Sequence, residues 1–128
     1  SSTFNQFVIT EYLARHDIDD HIATITACYG SQARAMVAAL EREAPAGVSF
    51  TRPEGGMFSW VRLPADKGSC MDLFDMAIRQ KVAFVPGMPF YTDGGGHDTL
   101  RLNFSNASEA IIDQGVTRLC RCMQDFLK

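Results

Sequence analysis

Apolar residues recur along this chain with two different periods, and the switches between them mark the elements. Phe4, Phe7, Val8 and Tyr12 fall at helical spacing, which predicts a helix to about Arg15. Thr3 with Gln6 three residues later has the form of a capping box, with Thr3 as the N-cap. Asp17 to Asp20 opens a second, longer helix, because acidic side chains suit the positive end of a helix dipole. Its stripe is Ile18, Ile22, Ile25, Tyr29, Met36 and Leu40, interrupted by Gly30 at a cost of roughly 1 kcal/mol against alanine. Pro45 and Gly47 stop it.

Val48–Thr51 is a short strand, and Arg52-Pro53-Glu54-Gly55-Gly56 a turn. Met57–Leu63, rich in aromatic and β-branched residues, is a strand closed by Pro64. Ser69 with Asp72 starts a third helix, whose apolar face is Met71, Phe74, Ala77 and Ile78 and which ends near Lys81. Val82–Val85 reads as a strand running into Pro86-Gly87, and Gly94-Gly95-Gly96 as a mobile loop. From Thr99 to Phe104 the pattern alternates: Leu100, Leu102 and Phe104 face one way, Arg101 and Asn103 the other. Asn106 paired with Glu109 would cap a last helix carrying Ile112, Val116, Leu119, Met123 and Phe126. The order ααββαββα predicts an α+β fold, a small and mostly antiparallel sheet of about four strands with helices packed on it.

Composition narrows the classes. With 128 residues, 46% apolar and 21% charged, the chain is an ordinary globular domain rather than a disordered one. No apolar run reaches the ~18 residues a membrane span needs, and Ser1–Asn5 lacks the charged and apolar regions of a secretory signal. A cytoplasmic protein without a membrane partner is expected. The absence of an initiator Met suggests a chain that continues upstream or was trimmed. Net charge is −3, and the basic residues are scattered, so no patch matches a row of phosphates and no nucleic-acid partner is expected. The four cysteines, Cys28, Cys70, Cys120 and Cys122, form no CxxC and are not bracketed by His16, His21 or His97, so free and mostly buried thiols are expected and a metal site is not. Asp17, Asp19 and Asp20 fit a solvated helix start better than a metal site.

Known catalytic motifs are missing: there is no nucleophile elbow, P-loop or dinucleotide fingerprint, and Gly94–Gly96 precedes a strand rather than a helix. His97, with no nucleophile tied to it, fits a solvated loop residue. Three features remain. Gly55-Gly56 before an aromatic strand fits either a hairpin turn or a close backbone approach to a ligand. Val85-Pro86-Gly87 followed by Pro89-Phe90 constrains a loop. Arg101, mid-strand between Leu100 and Leu102, could grip a carboxylate with two parallel hydrogen bonds or simply lie on the wet face of a sheet.

Pro53-Glu54-Gly55-Gly56-Met57-Phe58-Ser59-Trp60, then Val82–Gly87 with Phe90, then Leu100-Arg101-Leu102-Asn103-Phe104-Ser105, in this order and with these gaps, resemble the C-terminal part of a fold-type I aminotransferase that uses pyridoxal phosphate. The branch it is similar to includes 2-aminoadipate and kynurenine aminotransferases, and the resemblance covers essentially the whole chain. It implies that Arg101 binds the substrate α-carboxylate, that Gly56 lies on the pocket wall, that Pro86, Gly87 and Phe90 shape the pocket mouth, and that Asn103 neighbours Arg101. It also implies that residues 1–16 leave an absent large domain, that residues 17–128 are the small domain, and that the intact protein is a homodimer acting on an amino acid and a 2-oxo acid. The family's Schiff-base lysine lies in a Ser-x-x-Lys segment, and none of Lys67, Lys81 and Lys128 sits in one. The chain alone is therefore expected to hold no cofactor, to supply no catalytic residue, and to be inactive. A bare large-domain face, or the first helix, would favour self-association. Open alternatives are a free-standing amino-acid-binding or regulatory module, the aminotransferase-like domain of a transcriptional regulator, and a structural interaction domain with Arg101 on a wet sheet face. The intact Gly55-Gly56-Met57-Phe58 favours an enzyme over the regulator.

Overall fold

A computed structural model describes residues 2–128. Helix α1 spans Thr3–Arg15 and α2 spans Ile18–Glu43; strands β1 (Ser49–Phe50) and β2 (Phe58–Arg62) follow, then α3 (Cys70–Arg79), β3 (Val85–Pro86), β4 (Thr99–Asn103) and α4 (Glu109–Phe126). The strands form one sheet in the order β1-β2-β4-β3, with every pair antiparallel. This is the expected α+β fold.

Several boundaries follow different chemistry from the one expected. Thr3 is already helical; Ser2 is the N-cap, and its side chain makes no capping bond. At α4 it is Ser108, not Asn106, whose side chain caps, accepting from the Ile111 amide at 3.4 Å. Asp17 and Ser69 cap α2 and α3 by accepting from Asp19 N and Met71 N. The strand expected over 82–85 is shifted: the ladder starts only at Val85, which pairs with Arg101. The cause lies upstream. Lys81 takes a left-handed conformation (φ 60°), and the Val82 amide bonds back to the Ala77 carbonyl at 3.0 Å, so the chain is still leaving α3. Phe84 is buried with its ring edge-on to Phe74 at 5.3 Å. Pro86 closes β3, where an edge position tolerates the missing N–H.

The core lies on one face of the sheet. Val61, Leu100, Leu102 and Phe104 meet Leu40 of α2, Leu73 and Ala77 of α3, and Val116, Leu119 and Met123 of α4. The alternation in β4 thus sorts its side chains as its period requires, with Leu100 and Leu102 buried, Arg101 half-buried and Asn103 exposed. The stripe on α2 divides instead. Met36, Ala39 and Leu40 are buried, whereas Ile18 and Ile22 face solvent. No residue of α1 is buried, and Phe4 and Phe7 are 74% and 71% exposed. All four cysteines are free; Cys70, Cys120 and Cys122 are buried and Cys28 is exposed. No helix among the described residues is long and apolar enough to cross a membrane.

Candidate functional site

The face of the sheet turned away from the helices carries the polar chemistry. The β2–β4 register sets Trp60 opposite Arg101 and Phe58 opposite Asn103, so all four share that face. The chain leaving β3 brings a fifth residue over it. Gly87 donates its amide to the Thr99 carbonyl at 2.7 Å and lies so close to β4 that a Cβ there would collide with the Thr99 side chain and lie 2.8 Å from its carbonyl oxygen. A single 3-10 turn, Met88–Phe90, closed by the bond from Phe90 N to Gly87 O at 2.9 Å, then turns the Phe90 ring toward the strand.

Arg101 sits between aromatic rings. Its guanidinium carbon is 4.0 Å from the centroid of Phe58 and 4.6 Å from that of Phe90, too close for water to intervene. Trp60 meets Phe90 edge-on at 5.4 Å and 86°. The Arg101 Nε is buried and has no hydrogen-bond partner. Among the described residues Arg101 makes no ion pair, although the other paired arginines reach Glu11, Glu43, Asp113, Glu41 or Asp98. A guanidinium with a buried, unpartnered Nε and no ion pair is suited to take up an anion.

The structure therefore brings Arg101 and Phe90 together. Asn103 shares the face, but its Oδ1 already accepts from Ser105 N at 2.8 Å and Ser105 Oγ at 3.0 Å, so only its amide donors are free for a ligand. Gly56 lies on the chain entering β2, two residues before Phe58. Its φ of +75° explains the glycine, and a Cβ there would meet nothing within 4 Å. The β1–β2 connection is held at its base: Ser59 Oγ donates to Thr51 O at 2.8 Å, and Trp60 N donates to Thr51 Oγ1 at 2.9 Å. Pro86 ends β3, and Gly87 fixes where Phe90 falls. In the loop read as mobile, Gly95 N donates to the Asp93 side chain at Oδ1 at 2.9 Å, and the His97 carbonyl accepts from Cys70 N at 2.7 Å. Phe58 and Trp60 had no assigned role in the sequence reading. Their signal was the period of two in β2, which puts them on one face; which face needed the β2–β4 register.

The groups that pyridoxal phosphate needs, a lysine for the Schiff base and a phosphate cradle, are not gathered on this face. The Asp17, Ser69 and Ser108 side chains each accept one amide at the starts of α2, α3 and α4, and none of these helix starts lies on the sheet face that carries Arg101 in a glycine-rich turn of the kind that cradles a phosphate. Lys128 is bound to Asp125 at 2.7 Å, Lys81 lies two residues past the end of α3 and Lys67 sits in the loop before that helix. The chain's residues do not fit that group.

A sequence model described as "Aminotransferase class I and II" matches residues 1–119. The 2-aminoadipate transaminase of Thermus thermophilus is 42% identical over 96% of this chain and 30% of its own length. Aromatic-amino-acid aminotransferase 1 of Thermococcus litoralis is 35% identical over 100% of this chain and 30% of its own length. Among solved structures, the α-aminoadipate aminotransferase LysN from Thermus thermophilus, complexed with N-(5'-phosphopyridoxyl)-L-leucine, superposes with a TM-score of 0.89 at 41% identity, covering 96% of this chain and 31% of that one. The kynurenine aminotransferase of Pyrococcus horikoshii superposes with a TM-score of 0.85 at 38% identity, covering 91% and 29%. The chain thus spans about 30% of the length of the curated relatives it matches.

Proposed function

The chain belongs to the class I and II aminotransferase family, and from that premise we propose that it serves as the small domain of a pyridoxal-phosphate-dependent amino-acid aminotransferase, in which Arg101 binds the α-carboxylate of the substrate. The observation that carries this reading is the half-buried Arg101, unpaired and flanked by Phe58 and Phe90. An α-amino acid or 2-oxo acid presents a planar carboxylate, and two parallel N–H···O bonds from one guanidinium fix its plane. Fixing that plane also fixes the direction of the bonds at Cα, the atom where transamination occurs. Asn103 would contribute its free amide donors beside the clamp, Phe90 the mouth of the pocket, and Gly56 open backbone at its wall. Movement of this domain over the site would exclude water.

The cofactor would be held by the part of the protein outside this chain, since the residues present do not form its site. The same reading gives α1 and the front of α2 a role. Residues 1–16 would lead out of the large domain and residues 17–128 form the small one, with the exposed Phe4, Phe7, Ile18 and Ile22 covered in a cytoplasmic homodimer of the full-length protein. The relatives named above are all transaminases, which weighs against a free-standing binding module. Relatives acting on 2-aminoadipate and on aromatic amino acids make these the first donors to try.

The test is steady-state kinetics of the full-length protein with L-2-aminoadipate and a 2-oxo acid. Arg101→Lys keeps the charge and loses the fork, so KM for the amino acid should rise roughly tenfold or more. An unchanged KM in that variant overturns the assignment. The 128-residue chain alone, supplied with pyridoxal phosphate and the same substrates, should show no transamination.

A further inference from the structure

Holding an arginine still usually takes an acidic partner, and an acidic partner would compete with a substrate carboxylate for the same donors. The surroundings of Arg101 solve this differently. Neither Phe58 nor Phe90 can accept one of its in-plane N–H bonds as a carboxylate would, yet each lies within cation–π range, at 4.0 and 4.6 Å from the guanidinium carbon. The rings can hold the guanidinium without neutralising its charge or occupying its hydrogen-bonding edge. Trp60, directly opposite Arg101 in the ladder, meets Phe90 edge-on and backs that ring. Phe90 is brought into place by the close approach of Gly87 to Thr99 and the 3-10 turn that follows, so its position is set by backbone.

We propose that Phe58 and Phe90, the latter braced by Trp60, are positioning residues that orient the Arg101 guanidinium before substrate arrives, so that its edge faces an incoming carboxylate. This rests on the carboxylate-binding reading of Arg101. The flexible arginine stem would otherwise have to be ordered at the moment of binding, which weakens affinity. Cation–π holding disappears when the ring is replaced by an aliphatic side chain of similar bulk and survives when another aromatic ring is installed.

The experiment compares Phe90→Leu, Phe90→Tyr and Phe58→Leu in the full-length protein. It reads kcat and KM for L-2-aminoadipate together with calorimetric affinity for adipate, a dicarboxylate that cannot react. Phe90→Leu should raise KM and weaken adipate binding roughly tenfold while kcat changes less than about threefold, and Phe90→Tyr should stay within about twofold of the parent. Phe58→Leu should follow Phe90→Leu; if it fails to fold, Phe90, which is 47% exposed and outside the core, carries the test alone. Leucine binding adipate as well as phenylalanine, or tyrosine proving no better than leucine, overturns the proposal. Arg101→Lys in parallel separates the two readings. A raised KM there with unchanged Phe90→Leu removes only the clamp, whereas an unchanged KM there removes the carboxylate reading and the clamp with it.

Discussion

The front of the chain and the rest of it carry the same kind of apolar periodicity and meet opposite fates. In α1 and the first half of α2, Phe4, Phe7, Val8, Leu13, Ile18 and Ile22 all face solvent. In the second half of α2 the same stripe continues into Met36 and Leu40, which are buried against α4 and the sheet. Ile9 and Leu13 spread the apolar residues of α1 round more of its circumference, yet spacing alone does not say which stretch is covered. A helical stripe shows that a helix has an apolar face, while burial requires another element to lie against that face. The second half of α2 has α4, to which it is further tied by Arg42 to Asp113 at 2.7 Å, and Gln32 Nε2 donates to the carbonyl of Ala107 in the segment leading into α4 at 2.7 Å. The front half has no such partner within the described residues.

The sharpest way to break this comparison is truncation on each side of the divide. Phe104 and Leu40 are fully buried, so Phe104→Ala or Leu40→Ala should cost the 128-residue chain about 3–5 kcal/mol in urea unfolding. Phe7→Ala and Ile22→Ala should change the midpoint hardly at all. A comparable loss from Phe7→Ala would mean that α1 is covered in solution, for instance by a second copy.

Two glycines should respond with opposite signs. At Gly87 a methyl group would run into Thr99, and Gly87→Ala should destabilise by about 1–3 kcal/mol. Gly30 lies inside α2, and a Cβ there would meet only the flexible end of Arg34 at 3.4 Å, so Gly30→Ala should stabilise by up to about 1 kcal/mol. Thermal melting of the two variants checks both signs, and a stabilising Gly87→Ala would mean that the loop after β3 is not fixed by β4.

The cysteines give the mildest probe of the same divide. Burial, with Asp98 adding to it, pushes the Cys70 thiol from 9.0 up to about 12, and burial, then Glu43, pushes Cys120 up to about 11. Iodoacetamide at pH 8 should therefore label exposed Cys28 quickly and reach Cys70 and Cys120 only in denaturant, as read by peptide mass mapping. The folded state holds these two protons more tightly than the unfolded one. Their contribution to stability is thus complete below pH 9 and is lost as pH rises toward 11 and 12. A urea midpoint that did not fall between pH 8.5 and 10.5 would contradict this.

How much was legible can be followed residue by residue. In β4 the period of two placed Leu100, Leu102 and Phe104 in the core and Arg101 and Asn103 opposite, because a pleated strand leaves no other choice. Asp17 and Ser69 marked helix starts by a local bond between a side chain and a nearby amide. At α4 the pairing of Asn106 with Glu109 pointed two residues too early, and Ser108 caps instead, accepting from the Ile111 amide. The strand expected from Val82 failed because β-branched and aromatic residues can pack a core without joining a ladder, as Phe84 does.

For the site, the identity of Arg101 was in the sequence, and so was the company of Phe58, Trp60 and Phe90 in nearby motifs. Their meeting was not. Local periodicity determined the helices, the strands, the two-faced character of β4 and the placement of an arginine on its polar side. Tertiary structure alone decided that β2 lies beside β4 in a register setting Trp60 against Arg101, that the Gly87 approach carries Phe90 over the guanidinium, and that α1 stays uncovered. The reason is physical: period and capping act over a few residues, while register, ring contacts and burial depend on which distant segments come to lie together.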